Sequence, residues 1–196
     1  HPPAVSADPV PARSPTEAAP EGATPDGPAP ALDAAGIRAL LPHRYPVLLV
    51  DQVTELVPGR RLTARKAVSG NEPWYAGTGA TATRRELAYP QTLLIESWCQ
   101  AAGVLATARC PNPDVTSGRV MLFGGLSGVE FAHDVLPGDL VEHHVEIVRE
   151  LSDTVLVTGR STVAGRVVLT VERVVMTFRP AEALRAAPSP EEGEAR

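Results

Sequence analysis

The stretch from Tyr89 to Ala108 constrains this chain more than any other. Between Gln91 and Ala108 the only charged residue is Glu96. Pro90, near the first helical position, costs no hydrogen bond there, because the first N–H groups of a helix have no partner within it. The apolar side chains that follow run almost all the way round, so the segment predicts a helix buried on most sides. One stripe breaks the pattern. Thr92, Glu96, Gln100, Gly103 and Thr107 recur at three- and four-residue spacing and share a face. A carboxylate among apolar groups is costly unless paired or protonated. Glu96 is therefore either a structural ion-pair partner or a tuned acid/base group.

A buried rod needs walls, and the rest of the chain offers strands. Asp33 is a plausible N-cap for a short helix, Ala34 to Leu41, stopped by Pro42. After an irregular turn, Val47 to Val57 and Arg61 to Ser69 read as two strands joined at Pro58-Gly59. Residues 70–88 form a long loop rich in Gly, Thr and Ala, and a loop of that length is usually functional or disordered. Beyond the helix, four strands are expected: Arg119 to Phe131, Leu140 to Glu150, Thr154 to Val163 and Val167 to Phe178. Gly124-Gly125 interrupts the first of them like a bulge or a point of close backbone approach. Ala164-Gly165 reads as a tight hairpin turn. The order predicts an α+β domain with a curved antiparallel sheet wrapped around one helix.

The ends of the chain differ from its middle. Residues 1–30 hold nine prolines and no aromatic residue, too little apolar surface to offset the entropy of ordering. Residues 183–196 are expected to be a flexible tail, which leaves 31–182 as a single domain with a sizeable core. The net charge of −5, with scattered basic residues, offers no footprint for nucleic acid. No apolar run approaches the ~20 residues of a membrane span, and no signal peptide is expected within these residues. Cys99 and Cys110 form no disulfide framework, which fits reduced thiols in a cytoplasmic protein. No Cys/His cluster has metal spacing, and His143-His144 on an alternating strand point to opposite faces. No metal or organic cofactor is expected.

Several ordered blocks then carry a family likeness. Leu41-Pro42-His43-Arg44-Tyr45-Pro46-Val47-Leu48-Leu49-Val50-Asp51 resembles the opening of the hotdog-fold (3R)-hydroxyacyl-acyl-carrier-protein dehydratases. Asn71-Glu72-Pro73-Trp74-Tyr75 is similar to their Asn-Glu-Pro-aromatic-aromatic loop, and Leu94 to Gly103 to their central helix. Val129-Glu130-Phe131 and Val135-Leu136-Pro137-Gly138-Asp139 match the strand and turn that follow. The likeness runs in order from about Leu41 to Phe178. It implies a hotdog fold, a dimer whose sites are shared between subunits, and a phosphopantetheine-linked acyl chain delivered by an acyl carrier protein.

The sequence departs from that family where the family does its chemistry. The loop before the helix is about four residues longer, and the catalytic histidine position reads Thr78. The Gly that usually follows the helix-opening Pro reads Gln91, whereas Glu96 and Gln100 are retained. Dehydrating a 3-hydroxyacyl thioester needs a base for the α-proton, donors for the enolate oxygen and an acid for the departing hydroxyl. Glu96 is the candidate acid. The helix N-terminus at Gln91-Thr92, with Gln100 and Gly124-Gly125, is the candidate substrate and oxyanion surface. Thr78 cannot act as a base unaided, and Tyr75 and Tyr89 titrate too high. Of the other histidines, His43 reads as structural, and His133, His143 and His144 as surface residues. Arg84, Arg85 and Arg109 are candidates for steering an acidic carrier protein.

Three readings remain open. The chain is a half-site dehydratase that lends Glu96 to a composite site with a His-bearing homologue, in fatty-acid or polyketide-type synthesis. Or it is a hotdog thioesterase in which the lone carboxylate activates water or attacks the thioester. Or it is a non-catalytic carrier-binding or structural subunit, with Glu96 paired to Arg84 or Arg85.

Overall fold

The structure, a computed structural model, describes residues 31–185. The expectation for residues 1–30, and most of that for 183–196, falls outside them. Helix α1 (Ala34–Leu40) is capped by the Asp33 carboxylate, which accepts from the Gly36 N–H at 2.9 Å. Strands β1 (Gln52–Val57) and β2 (Arg61–Ala67) form an antiparallel pair. Helix α2 (Gln91–Thr107) is the predicted rod. Strands β3 (Arg119–Phe131), β4 (Leu140–Glu150), β5 (Thr154–Val163) and β6 (Arg166–Pro180) follow, then the short helix α3 (Ala181–Arg185). That last turn carries helix into the segment expected to be tail.

All six strands join one antiparallel sheet in the order β1-β2-β4-β5-β6-β3. The sheet curves around α2 and contacts it along β2 to β6, so the fold is α+β of the hotdog type. Trp98, Ala101, Ala102, Val104 and Leu105 are buried on the helix, against Leu62, Ala64, Val141, Val157, Val171 and Val174 of the sheet. Burying each of the valine and leucine side chains contributes roughly 1.5–3 kcal/mol, and each alanine methyl less. Trp98 is fully buried and its indole Nε1–H donates to the His144 carbonyl at 3.2 Å. Gly159 makes room for that ring: a Cβ there would sit 1.9 Å from the His144 oxygen and 3.0 Å from the indole. The β5–β6 hairpin turns at Ala164 (φ 48°) and Gly165 (φ 78°), the left-handed pair of a two-residue turn.

Two expectations need correction. The strand expected from Val47 begins only at Gln52. Residues 47–49 are instead strapped to the helix, because the Gln100 amide donates to the Val47 carbonyl at 2.6 Å and accepts from the Leu49 N–H at 2.8 Å. His143 is not a surface residue. It is fully buried between helix and sheet, with Nε2 2.8 Å from the Ser97 hydroxyl and Nδ1 2.8 Å from the Ser161 hydroxyl. Burial, aided by His144 and Lys66, pushes its pKa down to about 3, so the ring is neutral. His133 is exposed as expected, and His144 is half-buried.

Candidate functional site

Glu96 lies where α2 passes the bulge of edge strand β3. The register slips between Phe123 and Gly125, so Gly124 has no partner residue on β6. With no side chain at Gly124 or Gly125, the strand leaves an open groove of ≈330 Å³ beside the helix. Thr92, Glu96 and Cys99 line one wall, and Phe123 to Leu126 the other. The structure thus brings together Glu96, Thr92, Gly124 and Gly125, which lie up to 33 positions apart in the chain. Phe123 (47 % exposed) and Leu126 (49 % exposed) make the outer wall apolar.

The Glu96 carboxylate is anchored on one side only. Its Oε1 accepts from the Gln100 amide at 2.8 Å and faces His43 Nε2 at 3.6 Å. Its side chain is 43 % exposed, so it is neither fully desolvated nor paired with an arginine. The pairing considered with Arg84 or Arg85 is not formed. Those two side chains flank a separate hollow with Ala88, Tyr89, Gln91 and Asp134. Gln100 is itself buried, and its amide is committed to Val47, Leu49 and Glu96. It therefore positions the carboxylate rather than lining the substrate surface.

At the start of α2 the Pro90 carbonyl accepts from the N–H groups of Leu93 and Leu94. Gln91 and Thr92 precede the first of these bonds, and both are exposed. A helix start offers N–H donors and positive potential, and only Thr92 reaches the Glu96 groove. Gln91 opens onto the hollow beside Arg84 and Arg85. Arg109 lies past the opposite end of the helix. There it donates to the Pro58 carbonyl and sits 3.6 Å from Glu150, so the three arginines do not form one patch.

Thr78 stands exposed in the loop before the helix, its N–H donating to the Tyr75 carbonyl at 2.9 Å. The base of that loop is firmly held. Lys66 and Glu72 form a largely buried ion pair at 2.9 Å, and the Tyr75 hydroxyl donates to the Leu87 carbonyl at 3.1 Å. Trp74 and Tyr89 pack edge to face, with centroids 5.6 Å apart. Burial and the nearby Glu72 carboxylate push both Tyr75 and Tyr89 above the usual phenol range, which removes them as bases. Sequence reasoning missed His43 as a neighbour of Glu96, because 53 residues separate them and only the fold brings them together. No group of His, Cys, Asp and Glu among the described residues could hold a metal ion. No helix among them is long and apolar enough to cross a membrane.

A long central helix wrapped by a curved antiparallel sheet, with a carboxylate at the edge-strand bulge, defines a hotdog fold. Residues 41–172 match the model of the FabA-like domain. The chain belongs to that family. It is 38 % identical over 145 residues to the 3-hydroxyacyl-[acyl-carrier-protein] dehydratase FabZ of Anaeromyxobacter dehalogenans, covering 74 % of this chain and 90 % of that protein. To the FabZ of Thiobacillus denitrificans it is 39 % identical over 141 residues, 72 % of this chain and 94 % of that one. Among solved structures, the dehydratase heterocomplex ApeI:P of Xenorhabdus doucetiae superposes with a TM-score of 0.60 at 17 % identity, over 77 % of this chain and 97 % of that chain.

Proposed function

We propose that the chain is a dehydratase subunit acting on 3-hydroxyacyl thioesters of acyl carrier protein, in fatty-acid or polyketide-type synthesis. Glu96 is its acid, and the base is an imidazole lent by a His-bearing homologous subunit. What supports the reading is a one-sided site: Glu96 stands at the bulge groove, and Thr78, which the family likeness aligns with the catalytic histidine, offers only a hydroxyl on an exposed loop.

The chemistry follows from that division. The partner's imidazole takes the α-proton, and negative charge develops on the thioester oxygen. Backbone donors at Thr92 and the Gly124-Gly125 bulge are suited to receive it. The β-carbon–oxygen bond then breaks as Glu96 gives its proton to the departing hydroxyl, which leaves as water. The carbon–carbon double bond is formed, and the proton held by the imidazole returns to the carboxylate through solvent. Arg84 and Arg85, on the loop leading into α2, suit an acidic carrier. The exposed apolar residues of edge strand β3 suit a second hotdog subunit, in which case the groove closes on assembly.

The test is reconstitution in the cytoplasmic fraction of a host expressing candidate partners. The chain alone is expected to leave a 3-hydroxyacyl carrier protein unchanged, and the chain with a His-bearing homologue to dehydrate it. Turnover by the pure chain at a normal dehydratase rate would refute the borrowed base.

A further inference from the structure

We propose that His43 is a positioning residue for Glu96. Its Nε2–H and the Gln100 amide together hold Oε1, so that Oε2 faces the groove and transfers the proton. The inference rests on the reading of Glu96 as the acid. Three observations carry it.

The first is geometry. His43 Nε2 stands 3.6 Å from Glu96 Oε1, on the side of the carboxylate that Gln100 also contacts. That is longer than a hydrogen bond, but such contacts in empty active sites are often long and tighten when substrate binds. The second is the other ring nitrogen. His43 Nδ1 is buried and has no hydrogen-bond partner. A buried N–H without an acceptor is rare, because it forfeits its hydration. The ring proton therefore belongs on Nε2, facing the carboxylate.

The third is how the turn that bears the ring is held. Arg44 clamps the turn by donating to the Leu41 carbonyl at 2.8 Å, the His43 carbonyl at 2.6 Å and the Arg38 carbonyl at 3.2 Å. Gln100 straps residues 47 and 49 to the same helix that bears Glu96. The backbone that carries His43 is thus held on both sides. Among the described residues, Gln100 and His43 are the side chains placed against Glu96 Oε1. From β3 the groove presents Phe123 to Leu126, none titratable. On α2 the facing thiol, Cys99, is pushed up to about 12 by burial and by Glu96, and stays neutral. Arg44 is turned to carbonyl oxygens.

Two readouts test it. In ¹⁵N NMR of the isolated chain, His43 should be the Nε2-protonated tautomer, and its ring signals should move in Glu96→Gln. A His43 protonated on Nδ1, or one indifferent to Glu96→Gln, overturns the proposal. In the reconstituted enzyme with 3-hydroxybutyryl-pantetheine, His43→Leu should lower kcat at least about tenfold with KM little changed. His43→Gln, which keeps an N–H donor of similar reach, should recover most of that loss. A leucine variant within twofold of the parent, or a glutamine variant no better than leucine, also overturns it. If His43→Leu does not fold, His43→Asn, too short to reach Oε1, replaces it. If the parent complex shows no turnover, the dehydratase reading fails and the NMR result alone decides the pairing.

Discussion

Replacing Gln100 with leucine should unfasten the site from the fold, and the size of the effect follows from three hydrogen bonds. Gln100 is 2 % exposed and Leu49 is 1 % exposed, so the Leu49 N–H has no route to water once the amide oxygen is gone. An orphaned buried donor costs about 1–3 kcal/mol. The bond to the Val47 carbonyl contributes about 1 kcal/mol more, and less than a fully buried one would, because Val47 is 48 % exposed. The bond to Glu96 adds little to stability, since that carboxylate can turn to solvent. The expected loss is therefore about 2–4 kcal/mol, or roughly 5–15 °C in Tm for a domain of this size. Urea unfolding followed by circular dichroism measures it, with an unchanged m-value expected. A loss below about 0.5 kcal/mol would refute the assignment of Gln100 as the strap between residues 47–49 and the helix.

Other outcomes follow from the same structure. His143 is buried with its pKa lowered to about 3 against an ordinary value of 6.5, so the unfolded chain binds the proton first. The stability this group contributes is complete above about pH 6.5 and declines as pH falls towards about 3. His143→Leu should flatten the stability–pH curve in that window, while costing stability at pH 7 by orphaning the Ser97 and Ser161 hydroxyls. An unchanged acid limb would contradict this. Cys110 is exposed and Cys99 is a burial-raised thiol near 12, so iodoacetamide at pH 8 should label Cys110 first, as peptide mass analysis would show. Equal labelling would count against the packing of α2. Arg84→Glu with Arg85→Glu should weaken carrier-protein binding several-fold at low salt, whereas Arg109→Glu, at the other end of the helix, should not, by calorimetry.

Most of the architecture was legible because punctuation residues sit where elements end. Pro90 marks the start of α2, Pro58-Gly59 and Ala164-Gly165 mark two hairpins, and Gly124-Gly125 marks the bulge that opens the groove. What was misjudged depended on long-range partners. Residues 47–51 have a strand-like pattern, yet a glutamine 51 residues from Leu49 captures the first part of them. His143 was read as a surface residue, yet it shares the buried face of β4 with Val141 and Val145. Two serines, 46 and 18 residues away, satisfy both ring nitrogens and allow burial. The Glu96 surroundings were half legible. Thr92 and Gln100 share its helix face by periodicity, but the approach of His43, and the separation of Arg109 from Arg84 and Arg85, exist only in the folded chain.

The central claim is that Glu96 supplies the proton to the departing hydroxyl in a site whose base comes from another subunit. The most direct measurement is the single-turnover dehydration rate of 3-hydroxybutyryl carrier protein by the complex of this chain with a His-bearing homologue, with and without Glu96→Gln. The account predicts a fall of roughly 10²–10⁴-fold, the usual span for a positioned general acid, with carrier binding intact. A rate unchanged by Glu96→Gln would contradict it.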